Sequence, residues 1–402
     1  MNEMSPTSKV VGLPRLVAAA QALEPLIRDY REPLAKGPDL PRPLADALKQ
    51  AGLTQLWLPR ALGGPETHPV EFVQVIETLA RFDGAVAWCA MISSASSWLT
   101  GMMAAEAMRR LLPAGSMLAA SGSGHPNGTA TRDGEGWRVN GRWSWVSFSR
   151  HSTVSALMCV EQENGAARLT AEDSGSASPG APILRGVLLP SSMVQVLGNW
   201  NGSGLRSSGS HDVTCTDVWV PDDCTIQMGM PGAQVNPLYT LPMASAFAIT
   251  VIGIPLGIAA AAVDALVHLA QTKVAFINTA PLCEQEAIQL EVAKAKTRLH
   301  AARAFAFEAI GSVWASASAG QPVSVEQQAQ LRMACWNAGD AGKEVVERMY
   351  SAAGSTAVLE DAPFAAMLRD VHAACQHIQF ASRLMVPPGR ILLGLEPGTP
   401  MI

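Results

Sequence analysis

Two histidines near the C-terminal end, His372 and His377, follow an Arg369-Asp370 pair and carry the side chain whose unperturbed pKa sits nearest neutral pH. They are five residues apart, so they do not share a helical face as an i,i+4 metal clamp would. No HExxH or EF-hand pattern accompanies them, and no metal site is expected. A second group is the run Asn140-Gly141-Arg142-Trp143-Ser144-Trp145-Val146-Ser147. Strand alternation puts Trp143, Trp145 and Ser147 on one face. An indole wall beside a hydroxyl suits a flat heteroaromatic ring such as isoalloxazine, and a core strand with an incidental serine has the same pattern. A third group is Gly202-Ser203-Gly204-Leu205-Arg206-Ser207-Ser208-Gly209-Ser210. It reads as a turn between strands, or as a hydroxyl- and amide-rich loop with Arg206 available to an anionic group. No GxGxxG follows a strand, and neither GxxxxGK[ST] nor GxSxG occurs.

The elements that must position these groups fall into three segments. Residues 1–115 read as helical: Leu16, Ala19, Ala20, Leu23 and Leu26 recur at helical spacing, as do residues 41–52 and 71–82. Residues 85–99 form a very apolar helix carrying Trp88 and Trp98. Residues 116–228 turn to short strands, at 129–132, 137–139, 154–161, 183–189, 194–197 and 212–220. Asp133-Gly134-Glu135-Gly136 is one hairpin turn and Asn140-Gly141 a second turn signal. A small sandwich or barrel is expected there, with a long polar loop at 163–182. Residues 229–402 return to long helices at 246–273, 284–316, 324–353 and 363–383, an antiparallel four-helix bundle, with Ser324 and Gln327 as a capping box.

Composition narrows the class. The 402 residues are 48% hydrophobic and 16% charged, with a formal net charge of −5, so there is no basic footprint for nucleic acid. Seven cysteines are scattered singly with no CxxC, and the first residues lack the apolar run of a signal peptide. Reduced thiols in the cytoplasm are expected. The apolar run at 246–263 is flanked by neither basic nor aromatic anchors and reads as a buried helix rather than a membrane span.

Taken together, these segments resemble the acyl-CoA dehydrogenase superfamily. The run from Asn140 to Ser147 resembles its "NGxKxWIT" flavin strand, and GLRSSGSHDVTCTDVWVP its "GxRGSxTxxxxFxxVxVP" segment. Leu58-Pro59, Gly63-Gly64 and Glu77 with Leu79-Ala80 resemble its N-terminal domain. The resemblance implies the dehydrogenase-like fold: N-terminal helical domain, middle β domain, C-terminal four-helix bundle. The C-terminal tail departs from the dehydrogenases, because Gln376-His377-Ile378 stands where many of them carry a catalytic Glu. It is similar instead to the group D two-component flavin-dependent monooxygenases, the branch of the p-hydroxyphenylacetate hydroxylase oxygenases. Their "RDAHxxxxH" matches Arg369 to His377, their "GRxLxGxEPxxTMV" end resembles the chain from Gly389-Arg390 to Ile402, and Ser207 to Ser210 is identical.

That branch implies reduced FMN or FAD delivered by a separate NAD(P)H-dependent reductase, O2, a flavin C4a-hydroperoxide kept from water, a small aromatic substrate and a homotetramer. His377 then matches the acid–base residue, and Ser147 the hydroxyl beside flavin N5. Trp145, Ser121, Ser123, Arg206, Ser207, Ser208, Lys273, Phe276 and Gly354 would contact cofactor, the Lys273 and Phe276 pair by reaching a neighbouring subunit's flavin. Trp88, Ser96, Trp98 and His377 would line the substrate site. Phe148 replaces a family glycine, which predicts a changed local backbone or pocket. Ser96 stands where the phenol hydroxylases carry a second histidine, which favours an indole-type substrate over a simple phenol. His372 is expected to support its helix end. His125, His151 and His211 are expected in loops, with only His151 near flavin. A dehydrogenase-type flavoenzyme and a non-catalytic protein of the same fold remain the alternatives.

Overall fold

The computed structural model describes residues 14–112, 117–170, 180–228, 236–276, 279–399 and 402. The expected signal-peptide-free start lies outside the described residues, as do residues 171–179 of the 163–182 loop. The N-terminal helices are α1 (Arg15–Ala22), α2 (Glu24–Asp29), α3 (Arg31–Lys36), α4 (Arg42–Gln50), α5 (Pro69–Phe82), α6 (Gly84–Trp98) and α7 (Ala105–Leu111). The C-terminal helices are α8 (Met243–Val251), α9 (Gly253–Thr272), α10 (Glu286–Ser318), α11 (Val325–Ala353), α12 (Phe364–Ala374) and α13 (Val386–Leu392). Between them lie β1 (Ala120–Asp133), β2 (Gly136–Val146), β3 (Val154–Glu163), β4 (Ala166–Ala167), β5 (Leu184–Pro190), β6 (Gln195–Val196), β7 (His211–Pro221) and β8 (Thr225–Gln227). They form one mixed sheet in the order β6-β7-β2-β1-β3-β5-β8, with β4 on β3; the β1–β3 pair is parallel.

Helix α6 shows how sequence sets position. Asp83 caps it, its Oδ1 accepting from Val86 N–H at 2.9 Å. Its small residues let it bury almost every side chain. Helix α11 begins with the expected reciprocal Ser324–Gln327 capping box. One hydrophobic cluster runs from Leu16 and Val17 through α5, α6, α9 and α11 to Phe380, so the first and last helical segments share a core, while the sheet has its own. The run Met243–Thr272 is long and apolar enough to cross a membrane, and 89% of its most apolar window is buried in this fold.

Four expectations are corrected. Asn140-Gly141 is not a turn but the middle of β2, where Gly141 pairs with Gly128. A methyl at Gly128 would lie 2.0 Å from the Trp143 ring, and one at Gly141 2.7 Å from it, so the facing glycines make the slot that the indole fills. Trp143 is fully buried and donates to Met158 O at 2.7 Å; truncating such a side chain costs about 3–5 kcal/mol. Strand β1 begins nine residues before the expected 129–132 segment, passing through Pro126 at a register shift where no N–H is needed. The 246–273 helix is two helices that meet at Ile252. The 363–383 helix ends at Ala374, so His372 is helical but His377 is not.

Candidate active site

His377 stands just past α12, with extended backbone at φ −60° and ψ 141°, and caps a short 3-10 turn (Ile378–Phe380). Its Nδ1 accepts from Gln379 N–H at 3.5 Å, which leaves Nε2 as the nitrogen available for proton exchange. The ring meets Trp88 of α6 edge-on, centroids 5.7 Å apart. Trp88 Nε1–H donates to Ser147 Oγ at 2.9 Å. Ser147 Oγ lies 2.7 Å from Ser210 Oγ, and Ser210 Oγ lies 2.7 Å from Ser208 Oγ. Helix α6, the residues following β2, the Gly202 to Ser210 loop and the end of α12 thus meet in a line of polar groups running from His377 to Ser208.

Burial pushes the His377 imidazole down to about 4, and the charge of His125 adds to that direction. The ring is neutral near pH 7, able to accept a proton. His125 is the residue sequence reasoning passed over. It lies in β1, not in a loop, and its ring meets Trp145 at 5.6 Å. Its signal was the SGSGHPNG composition, which reads as loop.

Trp143 and Trp145 do not share a face, contrary to the alternation argument. The β2–β7 register shifts between Trp143 and Val146, and Trp145 takes a left-handed φ of 58°. Trp143 therefore goes to the sheet core while Trp145 is 61% exposed. Phe148, at the family's glycine position, keeps a glycine-like φ of 62° and is buried. Leu205 has φ 49°. Each such residue costs about 1–2 kcal/mol, and all three flank the same site. Gly209 also takes φ 57°, where a methyl would lie 2.6 Å from Asp39 Oδ1.

The remaining candidates separate. Ser123 Oγ donates to Ser144 O at 3.4 Å, beside His125 and Trp145. Ser96 Oγ is 2.9 Å from where a methyl on Gly122 would sit, so it faces β1 near Ser123. Ser121 is buried away from this line, its Oγ 3.1 Å from Ser155 Oγ in a second chain through Ser191 to Ser152. Ser207 donates to Leu34 O and Gly37 O and ties the loop to α3. Arg206 is exposed, its carbonyl accepting from Trp200 Nε1–H. Trp98 belongs to the core, donating to Leu238 O at 2.9 Å and packing on Phe247. Lys273 Nζ donates to Ala353 O at 2.6 Å beside Gly354, and Phe276 is 97% exposed; no described contact joins these three to Trp88 or Ser147. His372 pairs with Glu347 of α11 at 2.9 Å, a supporting contact. His151 Nε2 meets Leu40 O at 2.8 Å. His211 lies in β7 rather than a loop, Nδ1 accepting from Trp200 N–H and Nε2 meeting Asp39 at 3.1 Å. Cys89, also on α6, donates its thiol to Ser208 O at 3.5 Å, and burial pushes its pKa far up. Among the described residues no cluster of metal-ligating side chains occurs.

The site fits a flavin on its own chemistry. Trp145 offers an exposed flat face, and a side chain at neighbouring Gly124 would meet nothing within 4 Å, so the strand is open there. Two residues on from Trp145, the Ser147 hydroxyl joins Trp88 to Ser210.

This assembly of helices around a sheet, with a glycine- and serine-rich loop against α12, defines a flavoenzyme architecture, and the chain belongs to the acyl-CoA dehydrogenase superfamily. The acyl-CoA dehydrogenase N-terminal domain matches residues 17–117 and the C-terminal domain residues 249–382. Among its relatives is indole-3-acetate monooxygenase of Acinetobacter baumannii, 27% identical over 88% of this chain and 87% of that protein. Another is the flavin-dependent monooxygenase oxygenase subunit HsaA of Mycobacterium tuberculosis, 25% identical over 96% and 97%. The HsaA crystal structure superposes with a TM-score of 0.86 over 96% of this chain and 99% of that one. Dibenzothiophene monooxygenase TdsC of Paenibacillus, solved with FMN and indole, is 20% identical and superposes at 0.78 over 96% and 100%.

Proposed function

We propose that this chain is the oxygenase component of a two-component flavin-dependent monooxygenase, oxygenating a small aromatic or heteroaromatic substrate, preferably of indole type. The observation that carries this reading is the Trp88–Ser147–Ser210 junction beside a neutral His377. Ser147 Oγ accepts from Trp88 N–H. When the hydroxyl chain runs Ser208 to Ser210 to Ser147, it accepts there too, and its own O–H is free to donate into the crevice. His377 accepts the proton that the substrate ring gives up, a kind of help worth about 10²- to 10⁴-fold in rate. Trp88 and Phe148 keep water from the reacting centre. The flavin, arriving reduced from a separate NAD(P)H-dependent reductase, supplies the electrons that activate O2.

The residues that would hold the flavin are Trp145, Ser123 and Ser147, with Arg206 and Ser208 on the loop side. Ser121 and Ser207 contribute through the backbone they fix, and Ser96 with Trp88 borders the substrate. Lys273, Phe276 and Gly354 form a surface group that serves a neighbouring subunit's flavin in a homotetramer. The three segments, 1–115, 116–228 and 229–402, act as domains of one cytoplasmic enzyme. The similarity to indole-3-acetate monooxygenase and to the indole complex of dibenzothiophene monooxygenase, with Ser96 in place of a second histidine, supports the substrate class. The test combines the purified chain with NAD(P)H, FMN or FAD, a flavin reductase and a panel of indoles and phenols. O2 uptake with an oxygenated indole product is expected. Reduction of an electron acceptor by an acyl-CoA without O2 would replace this reading with the dehydrogenase one.

A further inference from the structure

The proposed chemistry leaves two half-buried carboxylates unused. Asp370 lies on α12 seven residues before His377, and Asp83 caps α6 five residues before Trp88. Asp370 Oδ1 accepts from Leu205 N–H at 2.7 Å. Its other oxygen presses on the start of α6: a methyl at Gly84 would lie 3.0 Å from Oδ2 and 3.2 Å from Ile258 Cδ1 of α9. The loop is equally close, since a methyl at Gly204 would lie 2.1 Å from Arg369 O. Asp370 is thus where α12, α6 and the loop bearing Ser208 and Ser210 converge.

No lysine or arginine among the described residues forms an ion pair with either carboxylate. Arg369, next in the chain, donates Nε to Ser203 O at 3.1 Å and is exposed. On α5, Arg81 pairs with Asp264 and Glu77 with Arg303. From α9 the neighbour is apolar Ile258, from the loop a backbone N–H, and from α6 Asp83 itself and the undissociated Cys89 thiol. Two like charges at this convergence, opposed in charge only by the exposed Arg369, are costlier than one.

We propose that Asp370 and Asp83 hold one proton between them, and that Asp370, so neutralised, is the positioning residue that docks the His377 segment and the serine loop onto the Trp88 helix. Asp83 has two backbone donors, Val86 and Ala85, and the positive end of α6. Asp370 has one, Leu205, and takes the larger share of the proton. Burial, then the Asp83 charge, raises the Asp370 carboxyl to about 7, which agrees with this assignment. Because the folded chain holds a proton that the unfolded chain releases near pH 4, stability falls as pH rises from about 4 towards 7.

The test compares thermal and urea unfolding of the wild type, Asp370→Asn, Asp370→Ala and Asp83→Asn from pH 5 to 9, with FMN affinity and the pH profile of turnover alongside. The unfolding arm needs no assumption about the reaction, so its failure is distinct from failure of the monooxygenase reading. The wild-type folding equilibrium is expected to fall by up to tenfold per pH unit between pH 5 and about 7 and to level off above that. Asp370→Asn keeps an acceptor for Leu205 N–H and removes the ionisation. Its advantage over the wild type should be small at pH 5, grow until about pH 7 and stay constant above that, and any alkaline decline in turnover should be lost. Asp370→Ala should be weaker at every pH, and Asp83→Asn should move the decline to lower pH. Parallel pH curves for the wild type and Asp370→Asn would overturn the proposal. So would failure of Asp370→Asn to fold at pH 6, because the charge itself would then be required.

Discussion

Two serine chains run through the middle of this protein and do different work with the same chemistry. One links Ser208, Ser210 and Ser147 and ends on Trp88 and His377. The other links Ser121, Ser155, Ser191 and Ser152 and ends on the backbone carbonyl of Ser149. Oxygen separations are about 3 Å in both, and each hydroxyl has a partner. The first chain is bordered by three left-handed non-glycine residues and a desolvated imidazole; the second joins parallel strands β1 and β3 to the turn after β5. A hydroxyl network becomes a site when it terminates on a group that can exchange a proton and when the backbone around it is held away from its easiest conformation.

The largest effect should come from the end of the first chain. His377→Ala is expected to lower product formation about 10²- to 10⁴-fold while FMN affinity, followed by fluorescence, stays unchanged. Normal turnover in that variant would dissolve the distinction between the chains. Next, Ser147→Ala should cut turnover strongly because it also strands the Trp88 N–H. Ser155→Ala should instead cost about 1–3 kcal/mol in urea unfolding with near-normal turnover. Equal losses of rate in both would mean that the chains are one network.

A pH series sharpens the comparison further. The folded His377 titrates near 4 and the unfolded imidazole near 6.5. Its neutral form is therefore fully present above pH 6.5, and the stability linked to it is lost as pH falls from 6.5 through about 4. Between pH 7 and 5 the acid limb of kcat/KM should be flat, and His377→Gln should unfold less readily in acid than the wild type. An acid limb with a midpoint near 6.5 would show an imidazole in water. The smallest effect is Trp145→Asn, which suits a left-handed φ. It should gain about 1 kcal/mol in stability and lower turnover by removing the exposed ring.

How far the sequence carried this picture depends on whether signals were local. The capping box of α11 and the hairpin at Asp133 to Gly136 obey near-neighbour rules and were legible. Strand β1 was not, because Gly124, Pro126 and Gly128 carry loop chemistry and only the pairing with β2 and β3 makes them a strand. The alternation rule failed at Trp145 because a register shift sits between it and Trp143. His377 was picked out by type and by resemblance, but its place beyond the helix follows from the chain leaving α12 at Ala374. The Trp88–Ser147 contact and the Asp83–Asp370 convergence join distant residues, and no spacing in a single chain announces them.

Cys89 carries a consequence for durability. Thiols are oxidised through their thiolate, and this one, beside the serine line, is kept undissociated by burial and by the charges of Asp83 and Asp39. Cys335 and Cys375 on the helical side are pushed up to about 12 in the same way, and Cys283 is the exposed one among the seven. A catalyst that handles oxygen at its centre therefore keeps the thiol beside its serine line unreactive. Wear from stray oxidant should register first at Cys283, at the protein surface.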